Sequence, residues 1–276
     1  ILDGRQAKIE ILKSLKDQIE KINPKLGLVV IQVGEDAASD VYVHQKAKMA
    51  FSLNYNFSHY RLSANVSEEE LLNLINELNQ NDNVDGILVQ MPIPKHLNAK
   101  KIQNAINPLK DVDGLTDINM GKLIHGTDSL VPCTPAGILD LLNLNNIDVA
   151  GKNVVIIGRS DLVGKPLAAL LTNQNATVTL CHSKTNNLKE YTKLADILIV
   201  AIGKPNFITA DYLKEGSVVI DVGINRLENN KLCGDVDFAS VAPHTSYITP
   251  VPGGVGPMTV AELAKNTYKA RILRKQ

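Results

Sequence analysis

The stretch VVIIGRSDLVGKP, residues 154–166, constrains the fold of this chain more than any other. Val154, Val155, Ile156 and Ile157 are four consecutive β-branched apolar residues. A strand of that kind is buried on both faces, which means a parallel sheet covered by helices. Gly158 then permits a tight turn, and a helix is predicted from about Leu162. A helix opening there offers backbone N–H groups and a positive dipole end to a phosphate. The spacing departs from the usual dinucleotide-binding pattern, G-x-G-x-x-G. Ser160 replaces the second glycine, Gly164 arrives one residue late, and Arg159 sits inside the turn.

The next strand gives a reason for the departure. In turns that select NAD, an acid at the end of that strand hydrogen-bonds the ribose hydroxyls. Here the strand ATVTL exits through Cys181-His182-Ser183-Lys184-Thr185, which holds no acid. A guanidinium and hydroxyls suit a phosphate on that ribose. Gly158, Arg159, Ser160 and Ser183 are therefore expected to bind NADP in preference to NAD. A solvated arginine and an ordinary turn serine are the plainer alternative.

Strand and helix patterns alternate along the whole chain. A helix is predicted through Ile9, Leu12, Leu15, Ile19 and Ile22, stopped at Asn23-Pro24. Strands are predicted at 26–33, 55–62 and 86–90, with helices from Ala38 through Lys48, over 68–79 and around 99–106. Ser67 and Glu70 make a capping box for the second of these. Residues 108–132 lack periodicity. Thr134-Pro135 reads as an N-cap and first turn. A second series follows, with strands at 153–157, 176–181, 196–201 and 217–221 and helices at 162–173, 186–193 and 257–272. The fold class expected is α/β: two three-layer domains, the second of Rossmann type, with a cleft between them. The boundaries expected are 1–117 for a catalytic domain and 118–256 for a dinucleotide domain, with the helix 257–276 packing back on the first.

Charge and cysteine usage exclude several classes. Lys plus Arg and Asp plus Glu are both 29, which argues against a nucleic-acid partner. The three cysteines, Cys133, Cys181 and Cys233, form no C-x-x-C pair, so neither zinc nor a disulfide framework is expected. Thiols in a reducing cytoplasm are the expectation. Apolar runs such as ILIVAI at 197–202 are too short to span a bilayer. The chain opens on Ile1, so a few preceding residues are expected to be missing.

Four further stretches carry reactive groups. In YVHQKAK, Tyr42 and Lys46 share one helical face, although a surface helix often carries such a pair. The same Y-x-x-x-K spacing occurs in short-chain dehydrogenases, but there it follows the nucleotide turn, and here it precedes it. In VQMPIP, Gln90 ends a parallel strand, where ligands of open α/β sheets gather. KDVDGLTDIN holds Asp111, Asp113 and Asp117. It lacks calcium-loop spacing, so turn chemistry is the default and no metal is expected. TPVPGGVGPMTV, with Pro252 and Gly253, is a loop with little side-chain bulk that a flat ligand can approach.

Taken in order, YVHQKAK, GILVQMPIP, KDVDGLT, PCTPAG, GRSDLVGKP, CHSKT, VIDVGIN, GDVDF and PVPGGVGPMTVA resemble the bifunctional methylenetetrahydrofolate dehydrogenase/cyclohydrolase family over nearly the whole length. The resemblance implies NADP-dependent oxidation of 5,10-methylenetetrahydrofolate, followed by hydrolysis to 10-formyltetrahydrofolate. It implies Lys46 as the main catalytic group, Tyr42 against the folate rings, Gln90 holding the lysine and Asp113 gripping the pterin. It also implies Ile224 at the nicotinamide end, tetrahydrofolate one-carbon derivatives as partners, with no nucleic acid and no membrane, and a homodimer. At 276 residues no ligase domain is expected. An NADP oxidoreductase of the same build acting on a small hydroxy or amino acid is the alternative. It leaves the stretches from Tyr42 to Asp113 unexplained.

Overall fold

The computed structural model describes residues 1–275. The amphipathic repeat at the start forms α1 (Gly4–Ile19), and the apolar run after it forms β1 (Gly27–Val33), buried at every position. Then come α2 (Ala37–Ser52), β2 (Asn56–Leu62), α3 (Glu68–Gln80), β3 (Gly86–Gln90), α4 (Ala99–Ala105) and α5 (Asp117–Ile124). β1 lies between β2 and β3 and is parallel to both. Period-two alternation sends Leu28 and Val30 to one face and Val29, Ile31 and Val33 to the other. The first face packs on Leu15, Ile19, Met49 and, from near the C-terminus, Leu263 and Ala264. The second packs on Leu71, Ile75, Leu78 and Ile102. The result is a helix–sheet–helix sandwich, the three-stranded unit, made of Ile11–Lys122, Thr127–Cys133 and the residues from Val260 onward.

The box before α3 works as a cap: the Ser67 hydroxyl accepts from the Glu70 N–H at 3.1 Å. Ser67→Ala is expected to cost about 1 kcal/mol, read as a lower midpoint in thermal unfolding. An unchanged midpoint would mean that water replaces the cap.

The remaining elements are α6 (Cys133–Leu144), β4 (Asn153–Ile157), α7 (Gly164–Asn173), β5 (Thr177–Cys181), α8 (Leu188–Thr192), β6 (Ile197–Val200), β7 (Ser217–Asp221), β8 (Asn225–Arg226), β9 (Leu232–Cys233), α9 (Phe238–Val241), β10 (Thr245–Ile248) and α10 (Val255–Lys275). Five strands form one parallel sheet in the order β10-β7-β6-β4-β5. β4 therefore has β5 on one side and β6 on the other. The winding direction reverses at β4, and ligands of such sheets sit above the carboxyl ends of the strands at that reversal. This five-stranded unit comprises Ile1–Glu10, Leu123–Gly126 and Thr134–Thr259. The N-terminal segment joins it because Leu2 is fully buried and donates its N–H to the Ile248 carbonyl at 2.9 Å.

Some elements differ from expectation. α5 forms inside 108–132, where no helix was predicted, because its buried side consists of Asn119 and Leu123 alone and gives no apolar period. α6 starts at Cys133, so Thr134 is already inside its first turn, and α10 starts at Val255. β10 and the short β8–β9 hairpin were not predicted, being brief and mostly exposed. Among the described residues no helix is long and apolar enough to cross a membrane.

Candidate active site

In the three-stranded unit, two glutamines tie α2 to the sheet. Gln32 and Gln90 are register partners on β1 and β3, so their side chains leave the same face. The Gln32 amide donates to Asp40 at 2.9 Å, and the Lys46 amine donates to Gln90 Oε1 at 2.7 Å. Gln90 Nε2 donates to the Met91 carbonyl at 2.8 Å, which leaves the amide oxygen facing the amine. Tyr42, one turn before Lys46, is 43% exposed and so available to a ligand. Burial pushes the Lys46 pKa down, with the Asp113 charge opposing. Burial pushes Asp113 up, with Lys46 opposing. No ion pair joins the two. A tight one would hold the amine protonated.

The sign of a pH effect follows. The neutral amine is the form that can take a proton, and its fraction grows as pH rises through its depressed pKa. A reaction that uses Lys46 as a base is expected to speed up with pH and level off below the ordinary lysine range. In Asp113→Asn the opposing charge is gone, so the inflection is expected to move to lower pH. An inflection that stays put would remove Asp113 from the electrostatics of Lys46.

The Asp113 loop is anchored by Asp111, which the motif had pointed to as a turn residue, and by Gln103, Lys110, Asn119 and Asn266, which it had not singled out. Asp111 is fully buried. It accepts from the N–H groups of Gly114 at 3.0 Å and Thr116 at 2.8 Å, and from the side chains of Gln103 at 3.2 Å and Asn119 at 3.0 Å. Lys110 is also buried and donates to the carbonyls of Leu78, Asn79 and Asn81, satisfying the C-terminal end of α3. On the other side, Asn266 Nδ2 donates to the carbonyls of Val112 at 2.9 Å and Val131 at 2.8 Å. Asp111 is thus a turn organiser, as its Asp-x-Asp-Gly setting predicted, and Asp117 sits exposed beside Lys100. Burial, helped by Asp113, pushes the Cys133 thiol well up, so it stays a thiol.

In the five-stranded unit the turn after β4 is built around close backbone contacts. Gly158 has φ +123°, and a Cβ there would lie 2.2 Å from the Ala201 carbonyl oxygen. A Cβ on Gly164 would lie 1.9 Å from the Gly158 oxygen. Both glycines are therefore required, and Gly164 comes late because the helix begins there and not at Leu162. No side chain caps that helix. Ser160 Oγ accepts from the Val163 N–H at 3.2 Å, which shapes the turn. Ile157 pairs with Cys181 across β4 and β5, and the Gly158 N–H reaches the Cys181 carbonyl at 2.9 Å. Arg159 and Ser183 each stand two residues beyond that pair, and both are exposed. The bare helix end, the side-chain-free cradle and the Arg159–Ser183 edge fit a dinucleotide with an extra ribose phosphate. Ile224 is 49% exposed just past β7. Pro252 and Gly253 lie in this unit rather than in that of Lys46, with the Arg5 guanidinium against Gly253.

A phosphate turn of this build in a parallel α/β sheet is that of a nicotinamide-dinucleotide enzyme. Comparison with known proteins makes the assignment specific. The family model described as tetrahydrofolate dehydrogenase/cyclohydrolase, catalytic domain, matches residues 2–113, and the NAD(P)-binding domain of the same family matches residues 132–275. The chain belongs to the tetrahydrofolate dehydrogenase/cyclohydrolase family. The bifunctional protein FolD of Campylobacter hominis is 54% identical over 274 residues, covering 98% of this chain and 96% of that one. The Bacillus subtilis protein of the same name is 50% identical over 273 residues, covering 98% and 96%. The crystal structure of the Campylobacter jejuni bifunctional enzyme FolD superposes with a TM-score of 0.97 at 47% identity, covering 99% of this chain and 98% of that one. The Trypanosoma brucei enzyme, complexed with NADP cofactor and inhibitor, gives 0.93 at 34% identity, covering 99% and 97%.

Proposed function

We propose that the two half-sites serve successive steps on one folate, with Lys46 as the acid–base group of the second. The chain has methylenetetrahydrofolate dehydrogenase and methenyltetrahydrofolate cyclohydrolase activities and uses NADP. Bound NADP supplies one piece of chemistry, acceptance of a hydride from the bridging carbon of 5,10-methylenetetrahydrofolate. Gly158, Arg159, Ser160 and Ser183 hold its phosphates, and Ile224 borders the nicotinamide. Asp113 accepts hydrogen bonds from the pterin amino group and ring N–H, and Tyr42 packs on the rings. Pro252 and Gly253 offer backbone that a flat ligand can approach. The product of the first step is a planar cation, so that step needs placement and no strong base.

The second step needs proton transfer. As water adds to the cationic carbon, the neutral Lys46 amine takes its proton. It returns that proton to N5 of the folate as the carbon–N5 bond breaks, while the hydroxyl proton leaves to solvent. The product is 10-formyltetrahydrofolate, with one net proton released. Gln90 holds the amine by accepting one of its hydrogens and, being neutral, orients the base without the full opposite charge that would keep it protonated.

The observation that carries this reading is the 2.7 Å contact from Lys46 to Gln90 in the absence of an ion pair with Asp113. The test is purified protein with 5,10-methylenetetrahydrofolate and each nicotinamide cofactor, followed by absorbance. Reduced NADP should appear, with methenyl absorbance rising and then decaying. Turnover of a small hydroxy acid with none of the folate would favour the alternative enzyme.

The working form proposed is a cytoplasmic homodimer. Its support is that among the described residues β2 pairs only with β1, leaving an open edge, that Val41 and Phe51 on α2 are exposed, and that all three cysteines are free thiols.

A further inference from the structure

Asp221, at the end of β7, and Asp235 are both buried, and neither forms an ion pair among the described residues. Backbone satisfies them instead. Asp221 accepts from the N–H groups of Gly223, Asp235 and Val236, each at 2.9 Å. Asp235 accepts from the N–H groups of Ile202 at 2.7 Å, Gly203 at 3.0 Å and Lys204 at 2.8 Å, and from the Asn225 side chain at 2.9 Å. The two are linked in series, since the Asp235 N–H is one of the donors to Asp221. The surrounding backbone is fitted to them. A Cβ on Gly223 would come 2.3 Å from the Asp235 carboxyl carbon, and one on Gly234 would come 1.8 Å from an Asp221 oxygen.

The position of this pair matters more than its stability. A buried apolar plug commonly stabilises a fold as well as buried charge does. What carboxylates add is direction, because each oxygen fixes the peptides that point at it. The peptides fixed here are residues 202–204, just beyond β6, and 223–225, just beyond β7. Both lie at the carboxyl ends of sheet strands, the ligand side of a parallel α/β sheet. Exposed Ile224 projects from the middle of the second loop.

We propose that Asp235, seated on Asp221, is a positioning residue for hydride transfer: it locks the 202–204 and 223–225 loops together and so sets where Ile224 meets the nicotinamide end of NADP. This rests on the reading that Ile224 borders the nicotinamide. Asp235 touches neither cofactor nor substrate. It acts through the loops.

The test is Asp235→Asn in the full-length protein. One Asp235 oxygen accepts from the Ile202 and Gly203 N–H groups and the other from the Lys204 N–H and the Asn225 side chain, so an amide, which presents its NH2 to one of these pairs, breaks half of the clamp while the shape is kept. The dehydrogenase kcat is expected to fall at least tenfold. Cyclohydrolase activity on methenyltetrahydrofolate and the affinity for 2′,5′-ADP, which lacks the nicotinamide, should both stay within about twofold. A kcat within twofold of the parent overturns the proposal, and so does an equal loss of 2′,5′-ADP binding, which would mark a role in the unit as a whole. If Asp235→Asn does not fold, Asn225→Ala carries the same comparison with a threefold or greater loss expected, and no loss overturns it. Ile224→Ser, measured in parallel, keeps the underlying reading separate. A loss in that variant with none in Asp235→Asn overturns only the positioning role, whereas no loss in Ile224→Ser overturns the reading of the loop itself.

Discussion

Lys46→Met is expected to lower cyclohydrolase turnover by about a thousandfold or more while dehydrogenase turnover stays within about tenfold of the parent. Positioned acid–base groups typically contribute about 10²–10⁴ to rate, and in the proposed mechanism one amine serves both proton transfers of the hydrolysis, so the upper part of that range is expected. The hydride step asks nothing of a base, because the cation forms without proton removal. Methionine keeps length and apolar bulk, so the partly buried stem of the side chain stays packed and only the amine is lost. The substitution leaves Gln90 Oε1 without its donor, a cost of about 1–3 kcal/mol if water cannot reach it, so thermal unfolding must accompany the kinetics. The decisive comparison is between the two activities of the same preparation. Intact hydrolysis would remove Lys46 from its role. An equal collapse of both activities in a folded variant would make Lys46 a substrate-binding group for both steps. Gln90→Ala should be milder, because it loosens the amine without deleting it.

Elements buried on both faces were the readable ones. β1, β3 and β4 appear in the sequence as apolar runs, and the structure buries them almost throughout. The order of those runs also implied a parallel sheet, and with it the adjacency of the β4 and β5 ends that Arg159 and Ser183 follow. Where an element is held by polar bonds rather than an apolar stripe, no period exists to find. α5 is the example, anchored by Asn119 to Asp111 and to the Pro108 carbonyl. The same distinction separates the site residues. Tyr42 and Lys46 alone look like any surface helix, and only a partner 44 positions away, Gln90, gives the lysine a setting. The roles of Asn266 and Asp235 were beyond reach for a different reason. Their work is to satisfy backbone N–H and C=O groups, and which of those groups are left unpaired is a property of the folded chain. The family motifs drew attention to Asp221 and Asp235 without saying what they do.

Arg159→Ala is expected to raise the NADP dissociation constant by about 30- to 100-fold and to change that for NAD by less than about threefold. The argument begins from geometry. β4 and β5 are neighbours whose register ends at Ile157 and Cys181, so residues 159 and 183 each follow that last pair by two positions, and the β5 exit offers no carboxylate to a ribose hydroxyl. A phosphate on that ribose brings close to two negative charges, and hydrogen bonds to charged groups are worth about 1.5–3 kcal/mol each. One bidentate guanidinium contact in a partly solvated site accounts for a loss of the stated size. NAD lacks that phosphate and so has nothing to lose. Because Arg159 is exposed, added salt should shrink the NADP effect while leaving NAD almost untouched. The two titrations are therefore best run at fixed low ionic strength and repeated at high salt. Ser183→Ala should move in the same direction by a smaller factor, since a hydroxyl contributes one uncharged donor. Equal losses for the two cofactors would show that Arg159 supports the turn rather than reading the phosphate. No loss for either would return it to the solvated surface arginine that its exposure alone would predict.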